Sequence, residues 1–338
     1  MRRTGPALLL LVLALNPAST QAQRADSTRA IIASDTAFVI DVDGLVPENI
    51  ARDPSTSGFF IGDVFGRRIL YRADEGGLRE FAGQSVLRGS VLGMKPDSAR
   101  HLLWVNVYAN SARMSDAERL STPRSALLAF DLTNGELKHR YLPADSLEPH
   151  LFNDLVLTPN GEVLLTDSEA GKIYRVATVA DSLRVWIEPR SAFTYPNGIT
   201  LESSGRTLYV AHLEGISAID IETRAIQRLQ PPRDHTLGGF DGLYSIGSQL
   251  VGIENAGKVG NRVLAFKVTP AGQVIDVREL ERGHPAYHIP TTGAVVGRTL
   301  YYIANAQLDR MPARGTVAHQ PLDPIVVLKL HITDSRAR

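Results

Sequence analysis

The chain has no cysteine among its 338 residues. That single absence removes disulfides, thiolate metal sites, a cysteine nucleophile and a lipid anchor on an N-terminal cysteine. Net charge is missing too: Lys+Arg and Asp+Glu stand at 36 each, with no Lys/Arg-rich run. Composition therefore gives no electrostatic reason to expect nucleic acid or an anionic membrane as partner. Beyond the N-terminal segment, no stretch reaches the ~18 apolar residues that a membrane span requires. Catalytic signatures are equally scarce. The chain contains no HExxH, no P-loop and no dinucleotide fingerprint, and residues 89–93 read GSVLG, with the serine misplaced for a nucleophile elbow. What remains is a chain that is 43% hydrophobic, enough for a sizeable core. Its length alone would suggest two domains, but closed all-β folds commonly use this length for one.

Residues 1–22 read as a cleaved secretory signal. Arg2 and Arg3 form a positive start, Ala7 to Leu15 an apolar stretch too short to span a bilayer, and Thr20 to Ala22 a small-residue cleavage site. The arginine pair lacks the fuller context of a twin-arginine signal. Residues 23–35 are polar and are expected to be a flexible lead-in. The mature protein is expected to be soluble and either periplasmic or secreted, with no membrane anchor.

The chain is organised around Phe152 to Tyr174, FNDLVLTPNGEVLLTDSEAGKIY. Two apolar runs flank Asn160-Gly161, the strongest short hairpin signal there is. The layout recurs from Tyr195 to His212 and from Phe240 to Asn255, so that Asn153, Asn197 and Asp241 follow one another at intervals of 44 residues. Self-similarity at ~40–45 residues marks a β-propeller with one four-stranded blade per repeat. Earlier blades begin near Val46 and Gly93 and a last one near Ile289. The reading is one six-bladed propeller over residues 36–332, followed by a tail at 333–338. Strands at Thr36–Val42 and Pro324–Ile332 have no hairpin partners of their own. They are expected to pair with each other and close the ring, protecting its edge. Ala109–Arg124 reads as an insertion loop, with room for a short helix.

The first strand of a blade lines the central channel, and its leading residue projects toward the axis. The expected inner ring is Glu48, Asn153, Asn197 and Asp241, with apolar or small residues in blades two and six, around Met94 and Thr292. The expected rim holds Asp63, Asn106, Asp167, Ser168, His212, Glu254, Asn255 and Asn305. Two carboxylates and two carboxamides without an inner-ring histidine make a hard-oxygen cage, which suits Ca²⁺ and not zinc. Each residue alone would pass as a turn-former or a solvated acid. Four in matching register argue for a ligand set. Trp104 and Trp186 read as packing between blades.

The motifs PEN at 47–49, FND at 152–154, PNG at 196–198 and DG at 241–242 resemble the regucalcin and gluconolactonase family. That family lies within the calcium-dependent six-bladed propellers that include paraoxonase and diisopropyl-fluorophosphatase. The resemblance covers the mature chain in blade order. It implies a calcium ion held by Glu48, Asn153, Asn197 and Asp241, and hydrolysis of a lactone, aryl ester or organophosphate. Where regucalcin-like gluconolactonases place a sugar-contacting arginine, this chain has Leu151, which shifts the expectation toward a more apolar lactone or ester. The paraoxonase disulfide and retained N-terminal segment have no counterpart here.

Asp241 is the expected general base or nucleophile, Glu48 a plain ligand, and Asp154 a support pointing to the other side of its strand. His212 and His288 are candidate proton carriers, with His150 and His284 nearby. Two other classes stay open: a non-catalytic calcium-stabilised binding propeller, and a lyase related to strictosidine synthase.

Overall fold

The computed structural model describes residues 30–109, 114–145, 149–177, 182–188, 192–257, 260–311 and 321–334. These form six four-stranded antiparallel sheets. After β1 (Asp35–Ile40), blade one runs through β2 (Pro47–Arg52), β3 (Phe59–Asp63), β4 (Arg68–Arg72) and β5 (Leu78–Ala82). Blade two comprises β6 (Ser90–Asp97), β7 (Leu102–Tyr108), β8 (Ser125–Asp131) and β9 (Leu137–Tyr141). Blade three is β10 (Phe152–Leu157), β11 (Val163–Asp167), β12 (Lys172–Val176) and β13 (Leu183–Ile187). Blade four is β14 (Ile199–Leu201), β15 (Thr207–His212), β16 (Gly215–Asp220) and β17 (Ile226–Arg228). Blade five is β18 (Phe240–Ile246), β19 (Gln249–Glu254), β20 (Arg262–Val268) and β21 (Val274–Arg282). Blade six is β22 (Gly293–Val296), β23 (Thr299–Ile303) and β24 (Ile325–His331), with β1 as its outermost strand.

The innermost strands β2, β6, β10, β14, β18 and β22 each pack against the next, and β22 packs against β2. The ring is closed. Both faces of every blade are covered, so the central strands read as unbroken apolar runs rather than alternating ones. In β3, Phe59 and Ile61 pack toward blade six while Phe60 packs toward blade two. The core divides in this way into six packed groups, one in each seam between neighbouring blades.

The repeated hairpins turn as their sequences predict. Gly161 takes φ 78° and donates its N–H to the Thr158 carbonyl at 2.8 Å; Gly205 takes φ 75° and donates to Glu202 at 2.8 Å. Glycine adopts this left-handed backbone without steric penalty. In the insertion of blade two, a short helix α1 (Asp116–Ser121) starts at a capping box between Ser115 and Glu118.

Closure is tighter at the N-terminus than the sequence suggests. Ile31 bridges Arg282 of blade five, and the buried Glu281 carboxylate accepts from Ala33 N at 3.0 Å, Ser34 N at 2.8 Å and Ser34 Oγ at 2.7 Å. The expected flexible lead-in is thus fixed in its described part, residues 30–35, because its backbone donors find a buried acceptor; residues 23–29 and the expected signal at 1–22 lie outside the described residues. The tail is held as far as it is described, with Asp334 paired to Arg298 at 2.7 Å. No helix among the described residues is long and apolar enough to cross a membrane.

Candidate functional site

The axial residues are set by backbone irregularity. Strand β2 slips register between Pro47 and Asn49, β10 between Phe152 and Leu155, and β18 between Phe240 and Gly242. The slips contain Glu48, Asn153 and Asp241 in turn. A bulge sets an extra residue against the partner strand, bends the chain and re-aims a side chain. In blade four, Asn197 stands just ahead of β14, its N–H donating to Ala211 O at 2.8 Å. Strand β6 bulges likewise between Val91 and Met94, which puts Leu92 and Gly93 in the places of Asn153 and Asp154. The expectation of Met94 at the axis is corrected: Met94 packs in the seam between blades one and two. At Gly93 an added Cβ would meet the Asn153 carbonyl at 2.5 Å, so only glycine allows β6 and β10 to approach this closely. Thr292 donates to the Glu48 carbonyl at 2.7 Å and accepts from Asn49 Nδ2 at 2.6 Å, fastening blade six to blade one.

Two of the four predicted residues, Glu48 and Asn197, carry buried oxygens without a partner. Glu48 is 2% exposed and its Oε2 has no hydrogen-bond partner. Asn197 donates Nδ2 to Asp241 Oδ1 at 2.8 Å, which leaves its own Oδ1 buried without a partner. Asn255 donates to Asp241 Oδ2 at 2.6 Å and to the Pro290 carbonyl at 2.9 Å. Asn153 donates to Ser168 Oγ at 3.0 Å, and that hydroxyl donates to Pro196 O at 2.6 Å, tying blade three to blade four. Buried oxygens normally have donors. Acceptors left over in a ring of carboxylate and carboxamide groups fit a hard cation such as Ca²⁺, which takes oxygen ligands only. Among the described residues, no group of three or more histidines, aspartates or glutamates is placed to hold a metal ion. The axial set instead draws half of its residues from asparagine.

Charge is concentrated there. Burial, with the charges of Asp241 and Asp154, holds the Glu48 carboxyl well above the usual range. Burial pushes Asp241 up to about 6, against the two asparagine N–H bonds that favour its ionised form. Asp154 is raised by burial and lowered by Lys95 and by the N–H groups of Leu155 and Ile199, at 2.8 and 3.3 Å. Asp154 therefore holds the start of blade four, and its charge acts on both Glu48 and Asp241.

Most of the expected rim serves the blades themselves. Asp63 accepts from Gly66 N at 2.8 Å and pairs with Arg68 at 2.9 Å; Glu254 pairs with Arg262 at 2.6 Å; Asn305 accepts from Val326 N at 2.7 Å. Asp167 accepts from Leu151 N at 2.9 Å and meets His150 Nδ1 at 2.6 Å. Asn106 and Ser168 reach the axial set, through the carbonyl and the amide of Asn153, and Asn255 reaches it through Asp241.

Neither His212 nor His288 hydrogen-bonds an axial residue among the described residues. His212 is buried against Phe193 with Nε2 3.2 Å from Ser217 Oγ, and burial, then Arg228, lowers its pKa to about 4. His288 pairs with Asp309 at 2.8 Å on the half-exposed edge of blade six. His284 accepts from Ala286 N at 3.1 Å. Tyr195 was not foreseen. It immediately precedes the Pro-Asn-Gly motif in a left-handed backbone, φ 58°, and burial and the charges of Glu169, Asp241 and Glu48 raise its phenol pKa. Leu92 and Leu151 join Tyr108, Tyr195 and Ile289 in one apolar group on this side of the ring.

No family model and no curated protein matches the chain in sequence. Many solved structures match its fold. A gluconolactonase from Xanthomonas campestris superposes with TM-score 0.57 at 14% identity, over 90% of this chain and 98% of that one. Virginiamycin B lyase from Staphylococcus aureus gives TM-score 0.58 at 16% identity, over 87% and 98%. A luciferin-regenerating enzyme gives 0.58 at 13%, over 87% and 95%. The chain is a six-bladed β-propeller of the architecture these enzymes share.

Proposed function

We propose that this protein is an exported calcium-dependent hydrolase acting on a lactone or ester with an apolar substituent. The observation that carries the reading is the pair of buried, unpartnered oxygens, Glu48 Oε2 and Asn197 Oδ1, beside Asp241. The gluconolactonase among the fold neighbours supports a lactone-type substrate. Glu48, Asn153, Asn197 and Asp241 would hold the ion. Bound there, Ca²⁺ would act as a Lewis acid on the substrate's carbonyl or phosphoryl oxygen. Asn197 and Asn255 fix the Asp241 carboxylate from both sides, so that its orientation is set before substrate arrives. Asp241 then accepts a proton from a water that adds to the carbonyl carbon, and returns it to the alkoxide as the C–O bond breaks. Alternatively its carboxylate adds to that carbon, expels the alkoxide and leaves an acyl-enzyme that water cleaves. With His212 held neutral and His288 turned to Asp309, proton acceptance falls to Asp241. Leu92, Leu151 and Tyr195 supply an apolar wall, which excludes water and disfavours a polyhydroxylated sugar.

A panel of small lactones, aryl esters and phosphotriesters tests this, with Ca²⁺ and after chelation. Activity lost on chelation and restored by Ca²⁺ is the expected outcome. The depth at which Glu48 is buried favours a second reading, a non-catalytic propeller that uses calcium for stability. Tight calcium binding with no turnover on any panel member would select it.

A further inference from the structure

The channel contains its own cation. Lys95 lies on β6 and Tyr244 on β18, strands of blades two and five, which face each other across the ring. The Lys95 ammonium nevertheless sits 5.8 Å from the centroid of the Tyr244 ring, within cation–π range. The side chain therefore crosses the channel. Asp154 packs against the same strand, its Oδ1 3.1 Å from where a Cβ on Gly93 would stand, and its carboxylate feels the Lys95 charge. Tyr244 is itself fixed, its phenol oxygen accepting from Gly293 N at 2.6 Å, so the aromatic face is a built platform.

Three buried carboxylates, Glu48, Asp154 and Asp241, act on one another in this channel. Ionised, they carry −3, and Lys95 brings the total to −2. One divalent cation neutralises that sum. Without the lysine the sum would be −3, and one divalent cation would leave a negative charge for a second to meet.

We propose that Lys95 is a positioning residue whose ammonium, laid across the channel between Asp154 and the Tyr244 ring, acts as a tethered counter-ion and limits the axial site to a single divalent ion. It touches no reacting atom. Its role rests on the calcium reading above and concerns how many ions the channel holds and how tightly.

Calorimetric titration of Ca²⁺ into the chelator-treated protein and its Lys95→Met variant reads this directly. The expected wild-type stoichiometry is one ion per chain. Lys95→Met should bind calcium about tenfold more tightly, one positive charge having left a low-dielectric channel, or take up a second ion. Two ions in the wild type, or an unchanged isotherm in the variant, would overturn the proposal. A double-mutant cycle in EGTA separates this from the calcium reading itself. Lys95→Met should destabilise the protein, and Asp154→Asn should restore it in the double variant. Additive effects would sink the counter-ion role even if calcium binds. A wild type that binds no calcium overturns the ligand assignment and the single-ion limit, while the cycle still decides the pairing of Lys95 with Asp154.

Discussion

At the scale of single residues, the axial set holds two buried oxygens without donors, on Glu48 and Asn197. A buried carboxylate with an unpartnered oxygen destabilises the fold by several kcal/mol unless a cation meets it. Glu48→Gln should therefore leave the chelated protein at or above wild-type stability, by about 1–3 kcal/mol. In calcium the order should reverse, because the variant loses a ligand. Paired melting curves with EGTA and with Ca²⁺ check the crossing; parallel shifts in both would mean that Glu48 is merely structural. Asp241→Asn tests chemistry rather than stability. It keeps the shape and both asparagine neighbours but removes the proton acceptor. Turnover should fall by roughly 10³-fold or more with circular dichroism unchanged; near-normal turnover would remove Asp241 from its role. Asn153, Asn197 and Asp241 were singled out because each opens a repeat at 44-residue spacing, and Glu48 because it stands where blade one begins. Lys95 and Tyr195 were not. Lys95 matters through a ring on the opposite blade, and nothing local in its strand signals that meeting.

At the scale of the strand and turn, bulges convert repeats into a site. Strands β2, β6, β10 and β18 all slip at the same level, and this cannot be read from residue type, since Leu92-Gly93 and Asn153-Asp154 share the geometry without sharing chemistry. The mistaken placement of Met94 has this origin. The turn ahead of β10 carries a second device. His150 and Asp167 are both fully buried, and the other ring nitrogen lies 2.6 Å from the Asp145 carbonyl. Burial alone would favour the neutral ring, but two acceptors on its two nitrogens outweigh it and raise the His150 pKa. A raised folded pKa contributes stability that is fully present below the unfolded value, ~6.5, and is lost as pH rises through the folded one. Urea unfolding from pH 5.5 upward should show that loss. In His150→Gln the step should vanish, and stability at low pH should fall by roughly 3–5 kcal/mol as Asp167 loses its charged partner. A wild-type profile flat across neutrality would show that the ring stays neutral.

At the scale of the whole molecule, the ring depends on its last strand to join. Among the described residues, strand β24 is covered on its outer edge by β1 alone, from the opposite end of the chain. Before β1 docks, β24 presents a free edge beside exposed apolar surface, a template for pairing with another chain. The Glu281 carboxylate fixes the approach by gathering Ala33 and Ser34, and Ser34 Oγ also lies 3.0 Å from the Tyr302 hydroxyl at the edge of the blade-six seam. The pairing of terminal strands could be foreseen from two strands lacking hairpin partners. The acidic latch could not, because Glu281 lies in a polar stretch that reads as an ordinary outer strand. A variant lacking residues before Leu45 should accordingly form soluble aggregates that light scattering detects, whereas Glu281→Gln should stay monodisperse and lose about 1–3 kcal/mol. If the truncated ring remained monodisperse with unchanged unfolding, the edge of β24 would be protected by something other than β1.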